Sequence, residues 1–192
     1  GHAVWPDAAA GEAACRAARP LPGMERGQVG AGTGATTGKL WGHPHARGGV
    51  GYGHDSWAAG SVSAIVVVNA VGDVIDPVLG HRVLDPNPAA RDRRREILSP
   101  AGHGAGPGEA TTLAVVIVEG AADQVALARC AVAAHDGFAH AIRPCHTMYD
   151  GDLVFAVATD VEQTALSPAE MLRLTVATEL AIEAAIVDAV TA

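Results

Sequence analysis

Three apolar runs, each rich in β-branched residues, limit most strongly how this sequence can fold. They occupy residues 61–70 (S-V-S-A-I-V-V-V-N-A), 111–119 (T-T-L-A-V-V-I-V-E) and 152–159 (D-L-V-F-A-V-A-T). Short, nearly continuous runs of this kind are typical of β-strands that are buried on both faces. We therefore predict three such strands, and they require covering layers on either side.

Helical patterns flank these runs. We predict helices over residues 8–18, 121–142 and 171–190, the last one started by Ser167 as N-cap, Pro168 in the first position and Glu170 in a capping box. The face of the second helix that we expect to pack inward consists of Val125, Ala128, Val132, His135, Ala139 and Ile142. Buried strands combined with helices predict an α/β layered fold, and 192 residues suit a single domain.

Two other segments lack these patterns. Residues 27–53 are rich in glycine and poor in long apolar side chains, which predicts tight backbone turns rather than regular structure. Residues 76–108 are rich in Pro, Gly, Asp and Arg, which predicts an exposed connection. The basic cluster of Arg91, Arg93, Arg94 and Arg95 is interpreted as part of a solvated loop.

Composition argues against several classes of protein. A net charge of −8 gives no field that attracts nucleic acid, and no apolar run approaches the length of about 18 residues expected of a membrane span. The three cysteines form no C-x-x-C pair, which favours reduced thiols and a cytoplasmic, soluble protein. We expect no nucleic-acid partner and no membrane association.

No cofactor or metal is expected either. Lys39 follows a glycine-rich run, but Thr33 and Leu40 stand where a phosphate-binding loop needs Gly and a hydroxyl residue. No strand precedes these glycines, so the dinucleotide fingerprint also fails. His43, His45 and His54 lack the i, i+4 spacing of a helical zinc motif.

The strongest chemical signal is the junction at residues 106–113 (G-P-G-E-A-T-T-L). A glycine-rich segment meets a buried strand there, with the Thr111 hydroxyl at the boundary. That hydroxyl can attack the carbonyl of Ala110, and the resulting ester can be opened by water. The freed α-amino group of Thr111, with a reference pKa of about 7.7 to 8.0, would be a base beside its own hydroxyl. The alternative is that Thr111 and Thr112 merely begin a strand.

Three further polar positions lie at strand ends. Asp150 and Asp152 enter the third strand two residues apart, so both carboxylates can face one site, with Gly151 allowing close approach. They can equally be solvated carboxylates of a turn. Asn69 ends the first strand and can donate to an oxyanion or bond to its own backbone. Of the histidines nearby, His135 is interpreted as a core residue, and the role of His146 stays open.

In combination, these segments resemble the family of self-processing aminopeptidases and amidases that includes the D-aminopeptidase/esterase, the β-aminopeptidases and the nylon-oligomer hydrolase. The resemblance runs in order through residues 29–35 (V-G-A-G-T-G-A), 48–51 (G-G-V-G), 67–73 (V-V-N-A-V-G-D), 111–116 (T-T-L-A-V-V), 134–137 (A-H-D-G), 142–147 (I-R-P-C-H-T) and 150–152 (D-G-D). It covers most of the chain.

The resemblance implies an αββα sandwich similar to that of the N-terminal-nucleophile hydrolases. It implies self-cleavage between Ala110 and Thr111, with residues 1–110 as the C-terminal part of the larger chain and residues 111–192 as the smaller chain. It also implies Thr111 as nucleophile, Lys39 and Asn69 as its supports, and Asp150 and Asp152 as an acidic pair near the substrate. Family members carry a further segment upstream, so we expect the N-terminal part of the family fold to be missing from this chain.

The function that we expect is that of a self-processing amidohydrolase or aminopeptidase. It would cleave short peptides, aminoacyl amides or amide oligomers through an acyl-threonyl intermediate, as a homo-oligomer of processed heterodimers. The alternative is a non-catalytic family member that keeps the fold without processing.

Overall fold

The computed structural model describes residues 6–18, 23–41, 46–57, 60–85, 93–98, 110–161 and 165–192. Its three α-helices are α1 (Ala8–Ala17), α2 (Gln124–Ala141) and α3 (Pro168–Thr191). The strands are β1 (Thr36–Thr37), β2 (Ala46–Arg47), β3 (Gly49–Trp57), β4 (Gly60–Val68), β5 (Asp73–Val74), β6 (Leu113–Glu119), β7 (Ile142–Arg143) and β8 (Leu153–Ala158). Short 3-10 helices span Gly30–Gly32, Lys39–Trp41 and Arg94–Leu98.

The centre of the fold is a mixed four-stranded sheet in the order β3-β4-β6-β8. Strands β3, β4 and β6 pair antiparallel, whereas β6 and β8 pair parallel and are joined through α2. A parallel pair needs such a crossover connection, because its strands start at the same edge of the sheet. The two-stranded pairs β1-β2 and β5-β7 lie outside this sheet.

The core lies between one face of the sheet and the helices α2 and α3. Val62, Val66, Val116 and Val118 are fully buried on the sheet side. Opposite them lie the fully buried side chains Phe138, Leu174, Ile182 and Ile186 of the two helices. Helix α3 packs on β3 and β4 as well as on α2, so it is covered from two sides.

The other face of the sheet differs from the prediction that the strands are buried on both faces. Residues of β6 alternate between buried and partly exposed, and Leu153, Phe155 and Val157 of β8 are exposed. The side chains of β8 on this face are apolar, and so are those of β6 up to Ile117, because both runs supply apolar residues on the two faces. Among the described residues, no second sheet covers them.

The glycine-rich region contains a strand that the sequence did not predict. Residues 49–57 form β3, although glycine in general weakens strands. A Cβ at Gly51 would stand 1.9 Å from the carbonyl oxygen of Ala185, and one at Gly53 would stand 1.9 Å from that of Ala181. Glycine is therefore required because the backbone of α3 lies directly on this strand. The cause is a tertiary contact that residues 27–53 alone do not reveal.

The predicted inward face of α2 is wrong except at its end, where Ile142 is buried. Val125 and Val132 are exposed, and so are Ala128 and Ala139. The buried residues of the helix are Ala126, Cys130, Ala133, Ala134, Gly137, Phe138 and Ala141. In an alanine-rich helix two faces satisfy the same spacing, and the smaller residues face inward here because α2 packs closely on α3. A Cβ at Gly137 would meet the Ile182 side chain at 2.8 Å.

Part of the predicted connection 76–108 is ordered. Asp76 caps a turn by accepting hydrogen bonds from the backbone of Val78 and Leu79, both at 2.8 Å. Arg93 is not solvated as predicted, because its guanidinium pairs with Asp73 at 3.3 Å and stacks on Trp41 at 4.1 Å. Arg91 and the remainder of this segment up to residue 109 lie outside the described residues, apart from residues 93–98.

The predicted start of the last helix is confirmed in detail. The Ser167 side chain accepts from the Glu170 backbone, the Glu170 side chain accepts from the Ser167 backbone, and Pro168 is the first helical residue. Helix α1 ends at Ala17 and has no buried residues. The three cysteines are free thiols. None of the described helices is long and apolar enough to cross a membrane.

Candidate active site

Four chain segments meet at one edge of the central sheet, and the topology explains why. Strand β4 runs antiparallel to β6, so its last residues lie beside the first residues of β6. Strand β8 runs parallel to β6, so it begins at the same edge, with Leu153 opposite Leu113. Asn69 therefore lies close to Thr111 and to the Asp150–Asp152 segment. The short 3-10 helix Lys39–Trp41 adds the fourth segment.

The Thr111 hydroxyl contacts the peptide group that precedes it. Its Oγ1 donates a hydrogen bond of 2.7 Å to the carbonyl oxygen of Ala110. The same oxygen accepts a bond of 3.0 Å from the backbone N–H of Gly151. Ala110 is buried, and Thr111 is partly buried. The Thr111 hydroxyl thus lies against the carbonyl that precedes it, and the Gly151 N–H is a fixed backbone donor of the kind that stabilises an oxyanion.

Lys39 and Asn69 form a unit beside the Thr111 nitrogen. Lys39 is 7% exposed, and its Nζ donates to Asn69 Oδ1 at 2.7 Å and to the Asn69 carbonyl at 3.4 Å. That carbonyl also accepts from the Thr111 backbone N–H at 2.8 Å. A second donor to Asn69 Oδ1 is the Thr36 backbone N–H at 3.2 Å. The side-chain oxygen of Asn69 is therefore used to hold Lys39, and its amide NH₂ is the donor group.

Asp150 connects three backbone segments around this point. Its Oδ1 accepts from the Val71 N–H at 3.3 Å, and its Oδ2 accepts from the N–H and hydroxyl of Thr147 at 2.9 and 2.7 Å. Asp150 also forms a parallel bridge with Ala110. The carboxylate thus fixes the loop after β4 relative to the residue that precedes Thr111.

Asp152 takes a different set of donors. Its Oδ1 accepts from the Thr112 backbone N–H at 2.8 Å, and its Oδ2 accepts from His146 Nδ1 at 2.7 Å. Its side chain is only 5% exposed. Gly151 separates the two aspartates, and a Cβ at Gly151 would stand 2.8 Å from Thr111 Oγ1. The two aspartates therefore flank Gly151, which leaves little room for a side chain beside the Thr111 hydroxyl.

The structure brings all the residues that the sequence singled out to this one place: Lys39, Asn69, Ala110, Thr111, Asp150 and Asp152. Sequence reasoning missed Thr147, which supplies two of the three donors to Asp150. It also missed the carboxylate bond of His146 and the Gly151 N–H. A turn of the form T-x-x-D is the signal for Thr147, because a hydroxyl and a carboxylate three residues apart bond within a turn.

Other histidines lie elsewhere. His54 is on β3 and contacts the Ser63 hydroxyl at 3.2 Å, whereas His43 and His45 lie outside the described residues. His135 is not a core residue as predicted, because it is only partly buried and contacts His146. In the described part of the chain, no three His, Cys, Asp or Glu side chains lie together in a group that could hold a metal ion.

Comparison with known protein families assigns the chain. The sequence model of Peptidase family S58 matches residues 2–192. The chain belongs to this family. An uncharacterized aminopeptidase of Mycobacterium leprae is 40% identical over 151 residues, which are 72% of this S58 chain and 39% of the relative. A 6-aminohexanoate-oligomer endohydrolase of Kocuria sp. is 31% identical over 174 residues, 82% of this chain and 46% of that enzyme.

Solved structures agree with the S58 fold. The Burkholderia sp. beta-aminopeptidase superposes with a TM-score of 0.66 at 23% identity, over 94% of this chain and 50% of that one. The L-aminopeptidase D-Ala-esterase/amidase of Ochrobactrum anthropi, described as a variant of the Ntn hydrolase fold, gives 0.56 at 18% identity, over 86% and 44%. The predicted layered α/β fold of the Ntn-hydrolase kind is confirmed. The chain spans about half the length of these relatives.

Proposed function

We propose that this S58 chain carries the nucleophile of a self-processing amidohydrolase, and that Thr111 is both the point of cleavage and the nucleophile. The observation that carries the proposal is the contact of Thr111 Oγ1 with the Ala110 carbonyl at 2.7 Å, beside the buried Lys39–Asn69 unit. The names of relatives support amide bonds as the substrate class, since they include aminopeptidases and a 6-aminohexanoate-oligomer endohydrolase.

Self-cleavage begins with attack of Thr111 Oγ1 on the Ala110 carbonyl carbon. The Oγ1–C bond forms, the bond from that carbon to the Thr111 nitrogen breaks, and the hydroxyl proton ends on this nitrogen. The Gly151 N–H, at 3.0 Å from the Ala110 oxygen, stabilises the negative charge that develops there. Water then hydrolyses the ester, which leaves a carboxylate on Ala110 and a free α-amino group on Thr111.

Turnover uses the same groups on an external amide. The Thr111 α-amino group accepts the hydroxyl proton as Oγ1 attacks the substrate carbonyl, and the departing amine takes that proton. Water hydrolyses the threonyl ester to release the acid. The Asn69 carbonyl accepts from Lys39 Nζ at 3.4 Å and from the Thr111 N–H at 2.8 Å, so Lys39 and Asn69 together hold the Thr111 nitrogen. Asn69 donates its amide to the oxyanion, while Asp150 and Asp152 fix the walls of the site.

The first test is the intact mass of the full-length protein, fresh and after a day near neutral pH, alongside Thr111→Ala and Thr111→Ser. We expect a piece that begins at Thr111 from the wild type and from the Ser variant, because both keep a hydroxyl, and none from the Ala variant. The wild type and the Ser variant should also hydrolyse an aminoacyl amide or a linear 6-aminohexanoate oligomer, and the Ala variant should hydrolyse neither. A single uncut mass in every sample, without turnover, would favour the non-catalytic alternative.

Assembly and location are part of the same proposal. We propose a homo-oligomer of processed heterodimers, supported by the exposed apolar residues Leu172, Val176 and Leu180 along one side of α3. Light scattering of the purified protein measures the assembly state.

A cytoplasmic location is supported by the three free thiols, because disulfides are rare in reducing compartments.

A further inference from the structure

Asp152 depends on His146 for the satisfaction of a buried charge. The carboxylate is 95% covered, since only 5% of the side chain is exposed, and His146 Nδ1 gives it a short bond of 2.7 Å. The backbone N–H of His146 also points to the same oxygen, at 3.4 Å. The other carboxylate oxygen, Oδ1, accepts from the Thr112 backbone N–H at 2.8 Å. Loss of the imidazole would leave a buried carboxylate short of its strongest donor.

His146 adopts an uncommon backbone conformation that serves this contact. Its φ is +53°, in the left-handed region, and it is the only residue other than glycine with positive φ among the described residues. This conformation costs free energy for most side chains, and asparagine is among the residue types that tolerate it best. The strained backbone directs both the N–H and the ring of His146 at one carboxylate. Such strain persists only where surrounding contacts hold it.

A second histidine supports the ring from helix α2. His135 Nδ1 lies 3.3 Å from His146 Nε2, and Phe138 packs against both rings at centroid distances of 5.4 and 5.9 Å. His146 Nδ1 donates to Asp152, so a neutral His146 ring accepts from His135 at Nε2, whereas a charged His146 ring donates to His135 Nδ1. Burial is the larger cause and the charge of His146 the next cause that lower the pKa of His135, and a neutral His135 ring can take either role in this contact.

We propose that His146, supported by His135, is a positioning residue that holds Asp152 against the Thr112 N–H and thereby sets the Thr111 hydroxyl. The peptide group between Thr111 and Thr112 is fixed by that bond on one side, and the Thr112 side chain is fully buried. The inference rests on the proposed function for its effect on cleavage. It extends that function to two residues outside the predicted catalytic set.

The test compares His146→Ala, which removes the donor, with His146→Asn, which keeps a side-chain N–H and suits positive φ. We expect His146→Ala to slow self-cleavage by about 10- to 100-fold, as small displacements of reacting groups do. Its kcat should fall while KM stays unchanged, and His146→Asn should recover most of the rate. His135→Leu should slow cleavage less, and an unchanged rate would remove His135 from the proposal.

The matched control is His140→Leu. His140 is also on α2, is half exposed, and pairs with Glu183 at 2.6 Å, far from Thr111 in the bonding network. The His140→Leu variant should self-cleave at the wild-type rate. A folded His146→Ala variant with the wild-type rate would overturn the proposal. So would a folded His146→Asn variant that cleaves about 10-fold or more below the wild-type rate, and this comparison with wild type stands even if His146→Ala does not fold.

A second readout does not depend on chemistry. In the Thr111→Ala background, site-resolved hydrogen–deuterium exchange should show faster exchange at the Thr112 amide after His146→Ala, and no change after His146→Asn or His140→Leu. Unchanged Thr112 exchange in all three would overturn the positioning role. If the wild-type protein never cleaves, the proposed function fails by itself, and the exchange experiment still decides whether His146 positions this strand.

Discussion

Gly151 leaves too little room for a side chain beside the Thr111 hydroxyl, and it also provides the N–H that binds the Ala110 carbonyl. Its φ is not in the left-handed region, so alanine can adopt its backbone conformation. The requirement for glycine is therefore steric. An added methyl group would stand 2.8 Å from Thr111 Oγ1 and would force one of the two to move.

We expect Gly151→Ala to slow self-cleavage by about 100-fold while the unfolding midpoint changes little, because the misplaced group is the nucleophile. The measurement is the rate at which the intact mass is replaced by the piece beginning at Thr111. Gly11→Ala is the control, since a Cβ at Gly11 in α1 has nothing within 4 Å. Wild-type cleavage by Gly151→Ala would contradict the assignment of Thr111 Oγ1 as the attacking atom.

Lys39 shows how a single residue depends on its context. It is the only lysine in the sequence, and it is almost fully buried. The motif around it failed as a phosphate loop, and the residues near it do not indicate a partner. The partner is Asn69, thirty residues further along the chain, at 2.7 Å. Local sequence supplied the residue type, and the pairing came from folding.

At the scale of elements, the segment with the 3-10 helix Arg94–Leu98 is held on the fold by Arg93. The guanidinium pairs with Asp73 through Nε at 3.3 Å and Nη2 at 3.4 Å, and it stacks on Trp41, the last residue of the 3-10 helix Lys39–Trp41. Burial raises the pKa of Asp73 above its usual value, and the Arg93 charge partly offsets that rise. The ion pair thus reduces the cost of a buried carboxylate.

We expect Arg93→Ala to lower the free energy of unfolding by about 1 to 2 kcal/mol at neutral pH, less than for a fully buried pair because Arg93 is partly exposed. A raised folded-state pKa means that stability is lost as pH rises through it, and removing Arg93 enlarges that loss. The difference from wild type should therefore shrink as the pH falls and Asp73 becomes protonated. What remains at low pH reports the lost stacking on Trp41.

Urea unfolding at several pH values measures this effect. Arg95→Ala is the control, since Arg95 is exposed in the same 3-10 helix. Arg93→Ala combined with Asp73→Asn should recover part of the stability at neutral pH, because the buried charge is gone. A loss independent of pH would show that the stacking contact, and not the ion pair, holds this segment.

At the scale of the whole molecule, the open face of the central sheet stands out. Leu113 of β6 and Leu153, Phe155 and Val157 of β8 are exposed there, whereas Val116 and Val118 on the opposite face are fully buried. The layered sandwich that the family resemblance implies has a second sheet on such a face. The chain spans about half the length of the relatives that it matches.

We expect residues 1–192 expressed alone to bind an apolar fluorescent dye through this face. Phe155→Ser should reduce the dye signal and change the free energy of unfolding by less than about 1 kcal/mol, because the ring is already exposed. Val116→Ala, on the helix-covered face of the neighbouring strand, should destabilise the protein instead. If the wild-type chain binds no dye and Phe155→Ser loses much stability, the face is covered in the isolated chain, for example by association of two copies.

The sequence by itself determined three strands of the central sheet, the start of the last helix and the family. Apolar runs predicted β4, β6 and β8, and the capping residues predicted the start of α3. Polar residues at strand ends marked Asn69, Thr111, Asp150 and Asp152 as candidates, and the family resemblance favoured a catalytic role over the structural alternatives. Ordered segments along the whole chain indicated the family.

The tertiary structure alone decided which side chains meet and which faces are covered. Strand β3 is glycine-rich because α3 lies against it, and α2 turns its small residues inward because it packs closely on a neighbour. Asp152 bonds to the Thr112 N–H because strand pairing brings the start of β8 beside the start of β6. Some of these contacts join residues that are distant along the chain, and others depend on which of two equivalent helix faces turns inward. No local sequence pattern encodes either of these.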